Sequence, residues 1–217
     1  MIIITEGMEV NILLATFLKS FLSLLAIMNP FSSVPIVMSL TSDYSKEEIR
    51  RIAFKACLYA FFILVFFLMS GDLLFRFMGI TLPAFKVGGG ILIFFLAIHL
   101  VQGEISKEKG KSHEIEAALQ RDNIALIPLA MPLLAGPGAI TTVLVLRGYI
   151  KEPLGLISVL LAIFLSCLVA FIVYSSSSFL YTFLGKAGIN LITRISGILL
   201  LAISVQFIAD GLKVLLK

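Results

Sequence analysis

An all-α, polytopic membrane protein with six transmembrane helices is the fold class this sequence predicts, and three observations predict it. Of the 217 residues, 59% are hydrophobic and only 14% are charged, with a mean hydropathy of +1.09. The charges stand between runs free of Asp, Glu, Lys and Arg at 20–42, 56–71, 87–103, 123–146, 153–185 and 195–209. A span needs about 20 apolar residues rising ~1.5 Å each, so these runs are the charge-poor cores of six helices. The third observation is a matched pair of proline interruptions 107 residues apart, Met28-Asn29-Pro30-Phe31-Ser32-Ser33 and Ala135-Gly136-Pro137-Gly138-Ala139-Ile140-Thr141-Thr142.

The predicted helices cover 9–41, 50–78, 83–102, 123–147, 153–184 and 189–215, the first and fourth broken at mid-membrane. The first extends past Lys19, whose long stem lets its ammonium snorkel to the interface. A capping box, Ser45-Lys46-Glu47-Glu48, precedes the second, which carries the lipid-facing or packing rings Phe61, Phe62, Phe66 and Phe67. Gly88-Gly89-Gly90 gives the third a small-residue surface for close packing, as Ser175 to Ser178 does for the fifth. Residues 103–122 mix acidic and basic side chains, which suits a solvated cytoplasmic connector. The 33-residue run at 153–185 is too short for two spans and a turn, so it reads as one long, tilted helix.

Residues 1–217 therefore form a single transmembrane domain made of two halves, 9–102 and 123–215. Gly90-Ile91-Leu92 matches Gly197-Ile198-Leu199 at the same offset of 107, and Ser70 matches Ser177. Three spans per half is an odd number, so the halves are expected to be inverted repeats about a pseudo-two-fold in the membrane plane. With six spans both termini share a side. The Lys and Arg count, ten to six, assigns the richer side to the cytoplasm and both termini to the outside. Residues 1–10 hold Glu6 and Glu9 but no Lys or Arg, which is not a secretory signal. The net charge of +4 is spread among loops and argues for anionic lipid contact, not nucleic acid. Cys57 and Cys167 fall mid-span as small apolar fillers.

The two interruptions are the candidate site. Proline removes an amide donor and clashes with the preceding turn, at about 3 kcal/mol inside a helix, and the freed carbonyls cost more in hydrocarbon. Asn29 lies ten residues beyond Lys19, about 15 Å along a helix and half a hydrocarbon core. A half-helix that restarts presents unpaired amides and a positive pole; one that ends presents carbonyls and a negative pole. Two antiparallel breaks can then clasp the carboxylate and ammonium of an uncharged amino acid with backbone groups alone. The substrate-binding set is Asn29, Pro30, Ser32, Ser33, Gly136, Pro137, Gly138, Thr141 and Thr142. Asn29 offers a donor and an acceptor, the glycines permit close approach, and the hydroxyls cap or touch ligand. The competing reading is a pair of ordinary proline kinks re-satisfied by Ser and Thr. His99 and Gln206, equivalent at the 107 offset, read as inter-helix hydrogen-bonding groups.

At these motifs the chain resembles the MarC/SnatA family of prokaryotic membrane proteins. The segments that carry the resemblance are Asn29-Pro30 with Pro35 and Ser39-Leu40-Thr41, and Pro132-Leu133-Leu134-Ala135-Gly136-Pro137-Gly138-Ala139-Ile140. Where Ser32 stands the family often has Gly. The resemblance implies transport of small neutral amino acids such as glycine and alanine across a prokaryotic plasma membrane, with both motifs lining the substrate site. The leading expectation is thus a secondary transporter working by alternating access. The alternative is a channel or exporter for broader amphipathic solutes, drugs included. There is no G-x-x-x-x-G-K-[ST] motif for ATP coupling, and proton or sodium coupling stays open. No cofactor and no metal site are expected. Only His99 and His113 are available for histidine chemistry, so no enzyme is expected. Small-residue faces allow a homodimer.

Overall fold

The computed structural model describes residues 2–41, 44–102, 125–150 and 153–216, and these are helical throughout their regular elements. Helix α1 (Ile2–Met28) is followed by a 3-10 turn (Pro30–Ser33) and the short α2 (Val34–Leu40). Then come α3 (Lys46–Met78) and α4 (Leu82–Gln102). A π-helical segment (Ala125–Leu134) leads to α5 (Pro137–Tyr149). The chain closes with α6 (Pro153–Ser175) and α7 (Ser177–Leu215). The connector expected at 103–122 lies outside the described residues.

Local chemistry sets the boundaries. Ser45 caps α3 through the expected capping box, its Oγ accepting from Glu48 N while Ser45 N donates to Glu48 Oε2 at 2.8 Å. Gly79 ends that helix in the left-handed region at φ 65°, its N–H bonded to the carbonyls of the last turn. Thr81 starts α4, its Oγ1 accepting from Ala84 N.

Among the described residues, five stretches are long and apolar enough to cross a membrane: Leu13–Met38, Lys46–Gly71, Leu82–Gln102, Pro153–Ser175 and Ser177–Leu215. Within the segment expected as a broken fourth span, 123–147, the described residues form the π-helical stretch and the 13-residue α5. Pro128 and Pro132 explain the wide coil: neither has an N–H to give, so an ordinary i→i+4 ladder cannot run unbroken through them. The ladder moves to an i→i+5 register, seen in the 2.8 Å bond from Ala135 N to Ala130 O. Two other boundaries differ from expectation. Helix α1 begins at Ile2 and not at residue 9. The expected 153–184 helix bends at Ser176 (φ −104°, ψ 16°) before the chain turns at Gly185 (φ 62°, ψ 178°). Residues 176 and 180 still donate to carbonyls four back, so Ser176 is a bend and Gly185 the true boundary.

The faces are sorted as lipid demands. Phe62, Phe66, Leu73 and Phe77 of α3 point outward, while Leu64 and Leu68 are fully buried. Phe61 leaves the lipid face and packs edge-on against Phe164 of α6. Leu24 and Met28 of α1, Leu134, and Ile163 of α6 fill the interior. Helix α1 packs on α6, and α3 packs on the π segment and α5 as well as on α6. The tightest seam joins α4 to α7. A Cβ on Gly90 would lie 3.0 Å from the Ser204 carbonyl oxygen, and one on Gly197 would lie 2.9 Å from Val101 N. Such backbone-to-backbone approach is how membrane helices gain dispersion contact without hydrophobic drive between them.

Candidate functional site

Helix α1 ends because Pro30 has no amide to continue it, which leaves the Ala26 carbonyl without its helical donor. Asn29 takes the turn in the left-handed region at φ 36° and ψ 67°, and no other non-glycine residue among those described has positive φ. Asparagine tolerates this better than most residues, yet the conformation still carries strain. Its side chain is 2% exposed, and neither Nδ2 nor Oδ1 has a hydrogen-bond partner among the described residues. An unpaired buried amide costs about 1–3 kcal/mol and calls for an explanation.

The second interruption falls between Leu134 and Pro137. Gly136 is extended at φ −73° and ψ 173°, and its carbonyl accepts from Ile140 N at 3.0 Å. The amides of Gly138 and Ala139 open the first turn of α5, where no intrahelical acceptor exists. The two interruptions meet. A Cβ on Gly138 would stand 3.2 Å from Cγ2 of Ile27, one residue from the end of α1. Around that contact is a cavity of about 170 Å³ lined by Ile27, Leu96, Leu133, Leu134 and residues 136–139. The negative pole of α1 and the positive pole of α5 therefore converge on one small space, each equivalent to about half a charge.

The nine candidate residues divide in this geometry. Gly136, Pro137 and Gly138 line the small cavity. Asn29, Pro30 and Ser33 are buried at the first interruption. Ser32 and Thr142 are also buried, but their hydroxyls donate to their own backbone: Ser32 Oγ to Asn29 O at 2.8 Å, and Thr142 Oγ1 to Gly138 O at 2.9 Å. Thr141 faces α4, its Cγ2 filling the space a side chain on Gly89 would need.

Other groups escaped the sequence reading. Tyr174 of α6 is wholly buried, with its hydroxyl toward that of Ser33 and neither in hydrogen-bond geometry with any described residue. A lone tyrosine in an apolar run gives no signal of this. Lys86 is 8% exposed, and its Nζ donates to Tyr149 Oη at 2.7 Å, although a cation near a helix end reads as solvated. Gln206 bonds within its own helix, Nε2 donating to Asp210 Oδ1 at 2.8 Å, and not across helices as expected.

Comparison with known proteins places this sequence in a family. The family model described as MarC family integral membrane protein matches residues 14–216. A UPF0056 membrane protein of Aquifex aeolicus is 76% identical over 201 residues, covering 93% of this chain and 94% of its own. UPF0056 membrane protein MJ1677 of Methanocaldococcus jannaschii is 40% identical over 199 residues, 91% of this chain and 96% of its own. UPF0056 membrane protein YhcE of Escherichia coli is 32% identical over 197 residues, 91% and 92% respectively. No solved structure matches the chain.

Proposed function

The chain belongs to the MarC family of integral membrane proteins, and from that premise we propose that it is a secondary transporter for small uncharged amino acids of the glycine and alanine class. The observation that carries the reading is Asn29: a strained, buried amide with both hydrogen-bonding atoms unspent, two residues along the chain from the Ile27–Gly138 approach between the two interruptions. A fold keeps such a penalty where a solute supplies the missing partners. The adjoining cavity, about 170 Å³, has room for roughly five or six waters at ~30 Å³ each, the scale of a two- or three-carbon solute. Opposed helix poles suit a molecule with one carboxylate and one ammonium, and among the described residues no Lys or Glu lines that cavity.

Alternating access would use two inverted halves, and the seam between α4 and α7 supports that arrangement. Gly90 approaches Ile208 and Gly197 approaches Val101. The offset of 107 turns one pair into the other, since 90 + 107 = 197 and 208 − 107 = 101. Reciprocal contacts of this kind are what a two-fold produces. At the next scale α1 of the first half packs on α6 of the second, and the π segment with α5 packs on α3. Each interrupted helix thus leans on the long helix of the other half.

The test is uptake by reconstituted vesicles. Labelled glycine or alanine accumulates or exchanges in the parent, while Asn29→Ala and Pro137→Ala, checked for normal folding, lose about tenfold or more, a difference of ~1.4 kcal/mol. Well-folded variants that transport like the parent would sink the site.

A further inference from the structure

A second and larger cavity, about 720 Å³, opens between α1, α5, α6 and α7. Its walls carry groups of both charges, Lys19 from α1 and Asp210 from α7, together with Tyr149, Gln206, Ser20 and Ser23. Charged groups inside a membrane protein are expensive and mark solute paths. Here they are arranged and not merely exposed. Asp210 accepts from Gln206 at 2.8 Å on one oxygen and from the Tyr149 hydroxyl at a long 3.4 Å on the other. Behind Tyr149, the Lys86 ammonium is tied to the same hydroxyl and sits 3.9 Å from the ring centroid. The second carboxylate oxygen is therefore held by a weak bond that a better donor displaces. Ser20, wholly buried, presents to this space a hydroxyl with no partner among the described residues.

The same helices lead inward. Ser23 is six residues from Asn29 along α1, and Leu146 is ten from Gly136 along α5, about 9 and 15 Å of helix respectively. The cavity therefore stands in line with the interruptions, one step nearer the surface.

We propose that this cavity is an antechamber that binds an ammonium-bearing zwitterion, the ammonium on Asp210 in place of the Tyr149 hydroxyl and the anionic group on Lys19. As the chemistry of the solute, this rests on the transport reading above. A free neutral amino acid and a phosphatidylethanolamine head group share that chemistry.

Ser23→Cys supplies the reporter, since Cys57 and Cys167 are buried and the parent serves as the labelling blank. In phosphatidylcholine–phosphatidylglycerol vesicles an impermeant thiol reagent labels the new cysteine. Alanine at about ten times its Kd leaves roughly one site in ten open and slows labelling about tenfold. Propionate or ethylamine alone does not, and Asp210→Asn or Lys19→Gln each abolishes the protection. Protection without alanine in vesicles containing phosphatidylethanolamine assigns the site to the lipid head group; protection only on adding alanine assigns it to the free solute. Labelling indifferent to alanine and to lipid, protection that survives in Asp210→Asn, or no labelling at either Ser23→Cys or Thr16→Cys overturns the proposal. Asn29→Ala separates the two readings: it removes uptake yet keeps alanine protection. A parent that protects but does not transport sinks the transport reading alone, and one that transports without protection sinks the antechamber alone.

Discussion

At the level of single residues, hydroxyls in this protein do two different jobs, and stability should tell them apart. Ser32 spends its hydroxyl on the Asn29 carbonyl, so Ser32→Ala should cost about 1 kcal/mol in thermal or denaturant unfolding and leave the uptake KM unchanged. Ser33 and Tyr174 hold buried hydroxyls that face one another outside hydrogen-bond geometry. Removing an unpaired buried polar atom is neutral or stabilising, so Ser33→Ala and Tyr174→Phe should keep or raise the melting temperature while lowering uptake at subsaturating alanine. A drop in stability for Tyr174→Phe with uptake intact would mean the hydroxyl serves the fold. The distinction was invisible in the sequence. Ser32, Ser33, Thr141 and Thr142 share one motif character, and only the rotamer decides whether a hydroxyl turns back three or four residues or outward.

Between elements, the α4–α7 seam depends on glycine where backbones touch and not where they do not. A Cβ on Gly88 would meet nothing within 4 Å, whereas one on Gly90 would press on the backbone of α7 at 3.0–3.1 Å. Gly88→Ala should therefore be neutral or gain up to about 1 kcal/mol from helix propensity. Gly90→Ala should lose about 1–3 kcal/mol, as overpacking forces the helices apart. Differential scanning fluorimetry in detergent reads both, and equal melting temperatures for the pair would refute the assigned contact. The glycine run was legible as a packing surface because three small residues in a span have few other uses. Which of the three makes the contact was not, since that follows from the rotation of α4 against its neighbour. The π coil at Ala125–Leu134 was hidden for a related reason: Pro128 and Pro132 sit in an unbroken apolar run, and hydropathy does not count amide donors.

Over the whole molecule, charge spacing made five apolar, membrane-length stretches readable, because a lysine or carboxylate in hydrocarbon is costly enough to punctuate the chain. It did not reveal that Lys86 would be buried beside Tyr149, a placement that needs three helices to converge. With six spans, the ten-to-six bias of Lys and Arg predicts both termini outside. A cysteine at Leu216, which is 82% exposed, should then react with an impermeant reagent in intact cells, and one at Lys46 only after permeabilisation. The reverse pattern would invert the protein in the membrane.

The crossed packing of α1 on α6, and of α3 on the π segment and α5, has a consequence for how the protein is made. Neither half of the chain covers its own packing faces, so a ribosome that has released only the first half has produced an unfinished object. Expressed from two separate genes, the pieces 1–102 and 125–217 should each be degraded alone and rescue one another together.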